Sequence, residues 1–403
     1  MLENGGNLFC DSFEGWQLQD SHPDALMYNK SNCKWNIARE ISLVPGRTES
    51  YGITPISHAA NPVVTKYDGG GYATGCVAYA IKQPSITLQS DTLNLHSEDL
   101  YTWKRQRGVV LSSFAPAGQV TTVPGLCSLQ AVITTTQNGG LVMSVSPYWR
   151  QWIHTPPLGY IKLDEWQHIA INYSIDFDKV GSTVVCRFSC TGYINGEEVD
   201  SYTSSEIEGY WGYDSTSFNR LKQFTNLSLF GNVLDDTKTV YLNLFQIPSV
   251  LAVIDDFYYA TEYRGDCIIE TPRPNEDITP NWDNSYSPPD YTVLRTSNID
   301  YSKFIYTNIK EAEILGYDDL QYLEEITEIL GVQSNFLTMK DGSDTPRIQG
   351  YWITPIARKG NQWVSKGDYK HQLYGQLTQF TDDALSWTPE AINGLTGGPE
   401  NAT

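Results

Sequence analysis

The chain has 403 residues, 40% of them hydrophobic and 18% charged, which is enough apolar material for packed cores and too little charge for disorder. That length calls for two domains. A formal net charge of -20, with no Lys/Arg cluster to offset it locally, argues against nucleic acid as a partner.

The opening MLENGGNLFCDSFEGW lacks the basic start and apolar core of a signal peptide, and no run of about 18 apolar residues follows anywhere, so neither Sec export nor membrane insertion is expected. The 26 Tyr, 11 Trp and 13 Phe, with frequent Val, Ile and Thr, favour half-buried pleated surfaces over helices. Cys10, Cys33, Cys76, Cys127, Cys186, Cys190 and Cys267 are scattered, odd in number and free of any Cys-x-x-Cys spacing. They read as buried thiols of a protein that folds in a reducing cytosol.

Along the chain, short alternating segments bounded by Gly, Pro, Asn and Asp recur as in antiparallel sandwiches. Gly69-Gly70-Gly71 has no following Lys-Ser/Thr and reads as a turn, not a phosphate loop. Strands are expected at 108–114, 140–145 and 168–175. Between Val184 and Val199, Asn195-Gly196 accepts the positive φ angles of a type I′ turn, so a hairpin forms there. Its alternation sends Val184, Cys186, Phe188 and Cys190 one way and Val185 and Arg187 the other. The five prolines between Gly265 and Tyr291 mark a connector, with the domain boundary near Arg264.

In the second domain, strands are expected at 331–339, 348–357 and 372–380, the first two joined by the turn-forming Lys340-Asp341-Gly342-Ser343. Asp319 to Leu330 fits either a helix or a turn entering a strand. Thr388-Pro389-Glu390 signals a short helix, and the tail from Gly397 to Thr403 reads as mobile. The expected fold class is all-β: an antiparallel jelly-roll sandwich over residues 1–264, followed by a smaller β-rich domain over 265–403.

Several of these segments resemble a known family. NLFCDSFEGW with Cys33-Lys34-Trp35, the WQHIAINYSID strand from Trp166, the GYINGEEV hairpin and the closing IDDFYYAT resemble concanavalin A-like, laminin-G-like jelly-roll domains of bacteriophage structural proteins. In that family the Trp-x-His strand, the Asn-Gly hairpin and the Asp-Asp strand belong to one sandwich. YRGDCIIETPRPNED with Trp282 is similar to the linker that follows such domains, and LSWTPEAINGL to their C-terminal ending. The resemblance implies a virion component, on tail, fibre or head, made in the host cytoplasm, with other virion proteins as partners. Virion appendages are often symmetric, which points to a homo-oligomer such as a trimer.

Candidate sites divide by chemistry. Glycosidases on such sandwiches place two carboxylates about 5 Å apart, commonly as Glu-x-Asp-x-x-Glu. That spacing is absent, Glu197 and Glu198 point to opposite faces, no Gly-x-Ser-x-Gly elbow occurs, and the six histidines form no ligand pair, so no catalysis is expected. Asp176 and Asp178, read as part of a connecting turn, and Asp255 and Asp256 at the last strand are the candidate oxygen ligands of a structural calcium ion. No other cofactor is expected. Tyr210, Trp211 and Tyr213 form one aromatic platform for a host-surface glycan, and Tyr148, Trp149, Arg150 and Trp152 form another. Core packing or a subunit contact explains either cluster equally well.

Overall fold

The computed structural model describes residues 8–13, 41–48, 51–55, 63–66, 74–85, 108–112, 130–135, 138–148, 151–180, 183–210, 226–231, 252–286, 289–295, 303–307, 309, 311–321, 326, 328–329, 332–338, 348–353, 358–364, 372–378 and 396–401. These fall into two compact units: the first runs to Ile268, and the second runs from Ile269 onward and includes Leu8–Phe13. The boundary thus lies four residues past the expected Arg264, and the NLFCDS segment groups with the second unit.

The chain opens with β1 (Leu8–Asp11), β2 (Ile41–Pro45), β3 (Tyr51–Pro55), β4 (Val63–Lys66) and β5 (Thr74–Lys82). It continues with β6 (Gly108–Ser112), β7 (Gln130–Thr135), β8 (Leu141–Tyr148), β9 (Gln151–His154) and β10 (Trp166–Val180). Next come β11 (Thr183–Ile194), β12 (Glu197–Thr203), β13 (Ile207–Tyr210), β14 (Asn226–Gly231) and β15 (Val253–Ala260). The principal sheet of the first unit has the order β12, β11, β10, β5, β15, β3, β2, with β13 on the far end of β11; the second sheet has the order β4, β14, β6, β7, β8, β9. All pairings are antiparallel.

Period-two burial builds the core. Ile169, Ile171, Tyr173 and Ile175 of β10 stand beside Tyr79 and Val77 of β5 and Cys190 and Phe188 of β11, all buried on one face of the principal sheet. Each such side chain contributes about 2 kcal/mol on leaving water. From the second sheet Val109, Leu111, Ile133 and Met143 are buried as well, and the Tyr79 hydroxyl donates to the Ile133 carbonyl. The expected alternation of β11 holds: Cys186, Phe188 and Cys190 are buried while Arg187 is exposed. Asn195 and Gly196 have φ of 49° and 86°, as the hairpin requires.

The second unit contains β16 (Pro274–Thr279), β17 (Asp283–Asn284), helix α1 (Tyr291–Leu294), β18 (Ile305–Tyr306) and β19 (Ile314–Tyr317). After them come β20 (Val332–Thr338), β21 (Ile348–Ile353), β22 (Arg358–Val364), β23 (Gln372–Thr378) and β24 (Thr396–Asn401). Its main sheet has the order β16, β19, β24, β21, β22, while β17 pairs β18 and β20 pairs β23. Three expectations are corrected here. The Pro-rich connector contributes β16, whose first residue is a proline, a position where the missing N–H costs no ladder bond. β20 and β21 do not pair with each other but lie in different sheets. The tail is an internal strand, because β24 sits between β19 and β21, and Gly398 fits there since a Cβ would strike the Glu313 carbonyl. Asp319 and Leu320 are irregular and Gln321 is in a turn. The expected turns at Gly69–Gly71 and Lys340–Ser343 and the helix start at Thr388–Glu390 lie outside the described residues. Among the described residues no helix is long and apolar enough to cross a membrane.

Candidate functional site

The face of the principal sheet turned away from the core is divided in two. The return segment that follows Ala260 covers the buried His168 of β10 through Asp266 and Cys267 and lies on Tyr193 of β11 through Tyr263, while Thr74, Ser189, Ser201 and Thr203 are exposed. Register places hydroxyl side chains in cross-strand rows on the open part. One row is Thr74, Ser174, Ser189 and Thr203; the next is Asn172, Thr191 and Ser201, beginning at Cys76. Thr74 and Ser174 hydrogen bond at 3.1 Å, as do Thr191 and Ser201. Adjacent strands lie about 4.8 Å apart and like-facing residues about 6.7 Å apart along each strand, so the rows form a flat polar grid.

An aromatic stack borders the grid. Tyr193 pairs with Ala170 on the same face, and Tyr263 from the return segment stacks on it with ring centroids 3.8 Å apart and planes 9° apart. Burial, reinforced by Asp266, Cys76 and Tyr193, pushes the Tyr263 phenol up to about 12, so it stays protonated. On the opposite border Arg187 is bound to Glu206 at 2.6 Å, with Asp176 across the strands from it.

Beneath the return segment lies a charged network. Asp256 and Phe257 form a bulge in β15 directly after Asp255, with Asp256 at φ 45°. The Arg47 amide donates to Asp255 Oδ2 at 2.8 Å, and the Arg47 guanidinium donates to both oxygens of Asp266 at 3.0 and 3.3 Å and to the Cys267 carbonyl at 3.2 Å. The same guanidinium lies 3.6 Å from Asp256 Oδ2. His168 stacks on Tyr258, with Nδ1 3.7 Å from Asp266 Oδ1 and Nε2 3.9 Å from Cys267 Sγ. Burial lowers its pKa to about 4; Asp266 opposes this and Arg47 adds to it, and the ring is neutral near pH 7. The Tyr258 hydroxyl donates to the Gly265 carbonyl and accepts from the Arg264 amide, which fixes the return segment. Cys267, His168 and Asp266 follow the order of a thiol, an imidazole and a carboxylate. Asp266 is engaged by Arg47, and the group ties the return segment to the sheet.

The expected site residues separate on this framework. Asp176 and Asp178 are exposed in the body of β10, which runs to Val180, and not in a turn. Asp255 and Asp256 are buried against Arg47, a bound cation of the protein's own, and do not form an open oxygen cage. Among the described residues no group of three or more His, Cys, Asp or Glu converges as metal ligands. Tyr210 closes β13, Tyr148 closes β8 and Trp152 lies in β9. Trp149, Arg150, Trp211 and Tyr213 lie outside the described residues. Sequence reasoning missed the Ser/Thr/Asn grid, although its period-two signal is plain in Asn172 and Ser174, Ser189 and Thr191, and Ser201 and Thr203. Arg47 and Asp266 were beyond its reach, because they meet across 219 positions.

No protein-family model matches this chain, and no curated protein does. Solved structures similar to it include domain 4 of an extracellular arabinanase from Geobacillus stearothermophilus in complex with arabinotriose, at 12% identity and a TM-score of 0.29, covering 55% of this chain and 75% of that one. Another is an endo-β-1,4-glucuronan lyase from the fungus Trichoderma reesei, at 11% identity and a TM-score of 0.31, covering 57% and 93%. A third is the enzymatically active domain of tailspike protein 2 of bacteriophage CBA120, at 13% identity and a TM-score of 0.28, covering 58% and 29%. The expectation of no catalysis is corrected by this finding, since a lyase and an enzymatically active tailspike domain stand among the similar structures. That expectation rested on a missing pair of hydrolytic carboxylates, which bears on one mechanism of glycan cleavage and on no other.

Proposed function

We propose that this protein engages carbohydrate through the open half of the principal sheet, as a component of a bacteriophage particle that also contacts other virion proteins. The observation that carries the reading is the hydroxyl grid. Its strand-to-strand pitch of about 4.8 Å is comparable to the length one pyranose adds to an extended glycan, so successive sugars meet successive donors and acceptors. Tyr193 and Tyr263 offer the aromatic border on which sugar faces pack in polar sites. The similar structures named for arabinotriose, glucuronan and a phage tailspike agree with this reading, as does the order of the segments that resemble phage jelly-roll domains.

A glycan array probed with the whole chain tests it. Saturable binding is expected to fall about tenfold or more in the double variant Thr191→Val/Ser201→Ala, with unchanged thermal unfolding. Undiminished binding by that variant places recognition elsewhere. Assaying the same mixtures for shortened product reads turnover alongside binding, and antibody labelling of purified particles tests the virion assignment.

A further inference from the structure

We infer that the open face reads an internal stretch of a straight, equatorially linked polysaccharide, four residues at a time, lying across the strands along Thr74, Ser174, Ser189 and Thr203; this rests on the carbohydrate reading above. Direction, length and shape of the ligand each follow from a separate observation.

Direction comes from what borders the grid. On β11, Ser189 and Thr191 alone separate Arg187, held by Glu206, from Tyr193, which lies under Tyr263. On β10, Asn172 and Ser174 separate Asp176 from the buried Ala170. A chain laid along the strands therefore meets an ion pair on one side and an aromatic stack on the other within two residues.

Across the strands the path is longer. Ser174 is in register with Thr74 of β5 and Ser189 of β11, and Ser189 with Thr203 of β12, so four hydroxyls stand in line on four neighbouring strands. Thr74, Ser189 and Thr203 are exposed and Ser174 is half-buried, so a ligand on the face reaches all four. Strand spacing puts the outer two about 14 Å apart, comparable to the span of four linked pyranoses. Both ends are open. β12 ends the sheet order, and β15, on the far side of β5, stops at Ala260 opposite Cys76, short of Thr74. From Ala260 the return segment leads away from this row, toward Tyr193 and His168. A polymer can thus run on past either end, and no chain terminus is required.

Shape follows from the pleat. Side chains on one face of a sheet all point the same way, so successive sugars touch successive hydroxyls only if the chain stays straight, and a coiled chain lifts off after one or two residues. The sheet turns by about 20° from strand to strand, a twist that a ribbon-like glycan shares through small changes at each linkage. Thr74 and Ser174 bond to each other at 3.1 Å, which orients both hydroxyls before a ligand arrives. One hydrogen of that pair and lone pairs on both oxygens stay available to the sugar.

The test titrates oligosaccharides of one to six residues against the whole chain by calorimetry, in straight series (β-1,4-glucan, β-1,4-mannan and β-1,4-xylan) and in a coiled series (α-1,4-glucan). All are uncharged, so chain shape is the variable. In at least one straight series affinity is expected to rise about threefold or more with each residue from two to four and less than about twofold thereafter, while the coiled series stays flat beyond two. Thr203→Val shortens the row at one end. It should weaken the tetramer several-fold and leave the trimer, which still finds Thr74, Ser174 and Ser189, within about twofold. Ser189→Ala breaks the row in its middle and should weaken both, and neither variant should shift thermal unfolding. Coiled glycans that bind as tightly as straight ones, or affinity already complete at one residue, overturn the inference while leaving carbohydrate engagement intact. Unchanged tetramer affinity in both variants overturns the assignment of the row. Binding by no member of the panel, together with a silent glycan array, overturns the carbohydrate reading and this inference with it.

Discussion

At the scale of single residues, Arg47 is the side chain on which most of the buried charge depends. Its guanidinium reaches Asp266, Asp256 and the Cys267 carbonyl, and Asp256 is 1% exposed. Arg47→Ala would remove that carboxylate's ion pair with the guanidinium in a poorly solvated bulge, a class of change that costs about 3 to 5 kcal/mol for a fully buried pair. Because Arg47 keeps 20% of its side chain exposed, about 3 kcal/mol is expected, measured as a shift in urea unfolding of the first unit. Adding Asp256→Asn should recover part of the loss, since it removes the charge and tolerates the positive φ. His168 adds a dependence on pH. Its folded pKa of about 4 lies below the usual 6.5, so between those values the unfolded chain binds a proton that the folded chain refuses. Stability of the first unit should therefore fall by up to about 3 kcal/mol as pH drops from 6.5 to 4, and His168→Gln should flatten that slope.

At the scale of elements, two glycines show how far local chemistry can be read and where it stops. Gly196 has φ of 86° and its nearest neighbour, Asp266 Cβ, would lie 3.7 Å from an added Cβ, so Gly196→Ala meets backbone strain alone. A cost of about 1 kcal/mol is expected. Gly398 instead has backbone against it, the Glu313 carbonyl, so Gly398→Ala must displace β24 from its place between β19 and β21. Its loss in thermal unfolding of the second unit should exceed that of Gly196→Ala in the first several-fold. The Asn-Gly hairpin and the alternation of β10 and β11 were legible because they follow from turn chemistry and burial within one stretch of chain. The tail was not. Thr-Gly-Gly-Pro-Glu-Asn has the composition of a loop, and it becomes a strand only because two strands far back in the sequence supply partners on both sides. The same holds for β20 and β21, adjacent in sequence but committed to different sheets. The grid shows a third limit: period-two reasoning that follows apolar residues finds the core and passes over the polar face it creates.

At the scale of the whole molecule, the two units carry buried groups of opposite sense. In the second unit Glu313 is fully buried and accepts the Asn281 and Trp282 amides on Oε2 at 2.8 and 2.9 Å. Burial pushes its carboxyl up to about 7; the two amides oppose the shift, and Asp290 and Asp277 add to it. The folded unit thus holds a proton up to about pH 7 that the unfolded chain releases near 4.5, so its contribution is greatest below 4.5 and is lost as pH rises through 7. The first unit, through His168, responds in the reverse direction over the overlapping window of about 4 to 6.5. Calorimetric scans of unmodified chain and variants across this range should separate the two. Glu313→Gln should raise the transition of the second unit at pH 7.5 and change it little at pH 4.5, whereas His168→Gln should act on the first unit at the acid end only. A Glu313→Gln chain whose stability gain does not grow with pH would show that the carboxyl is ionised in the folded protein, and the acid-side reserve of the second unit would then have to come from other groups. Because each unit buries its own core, the two responses should add, leaving the chain with a broad stability plateau between its acid and neutral limits.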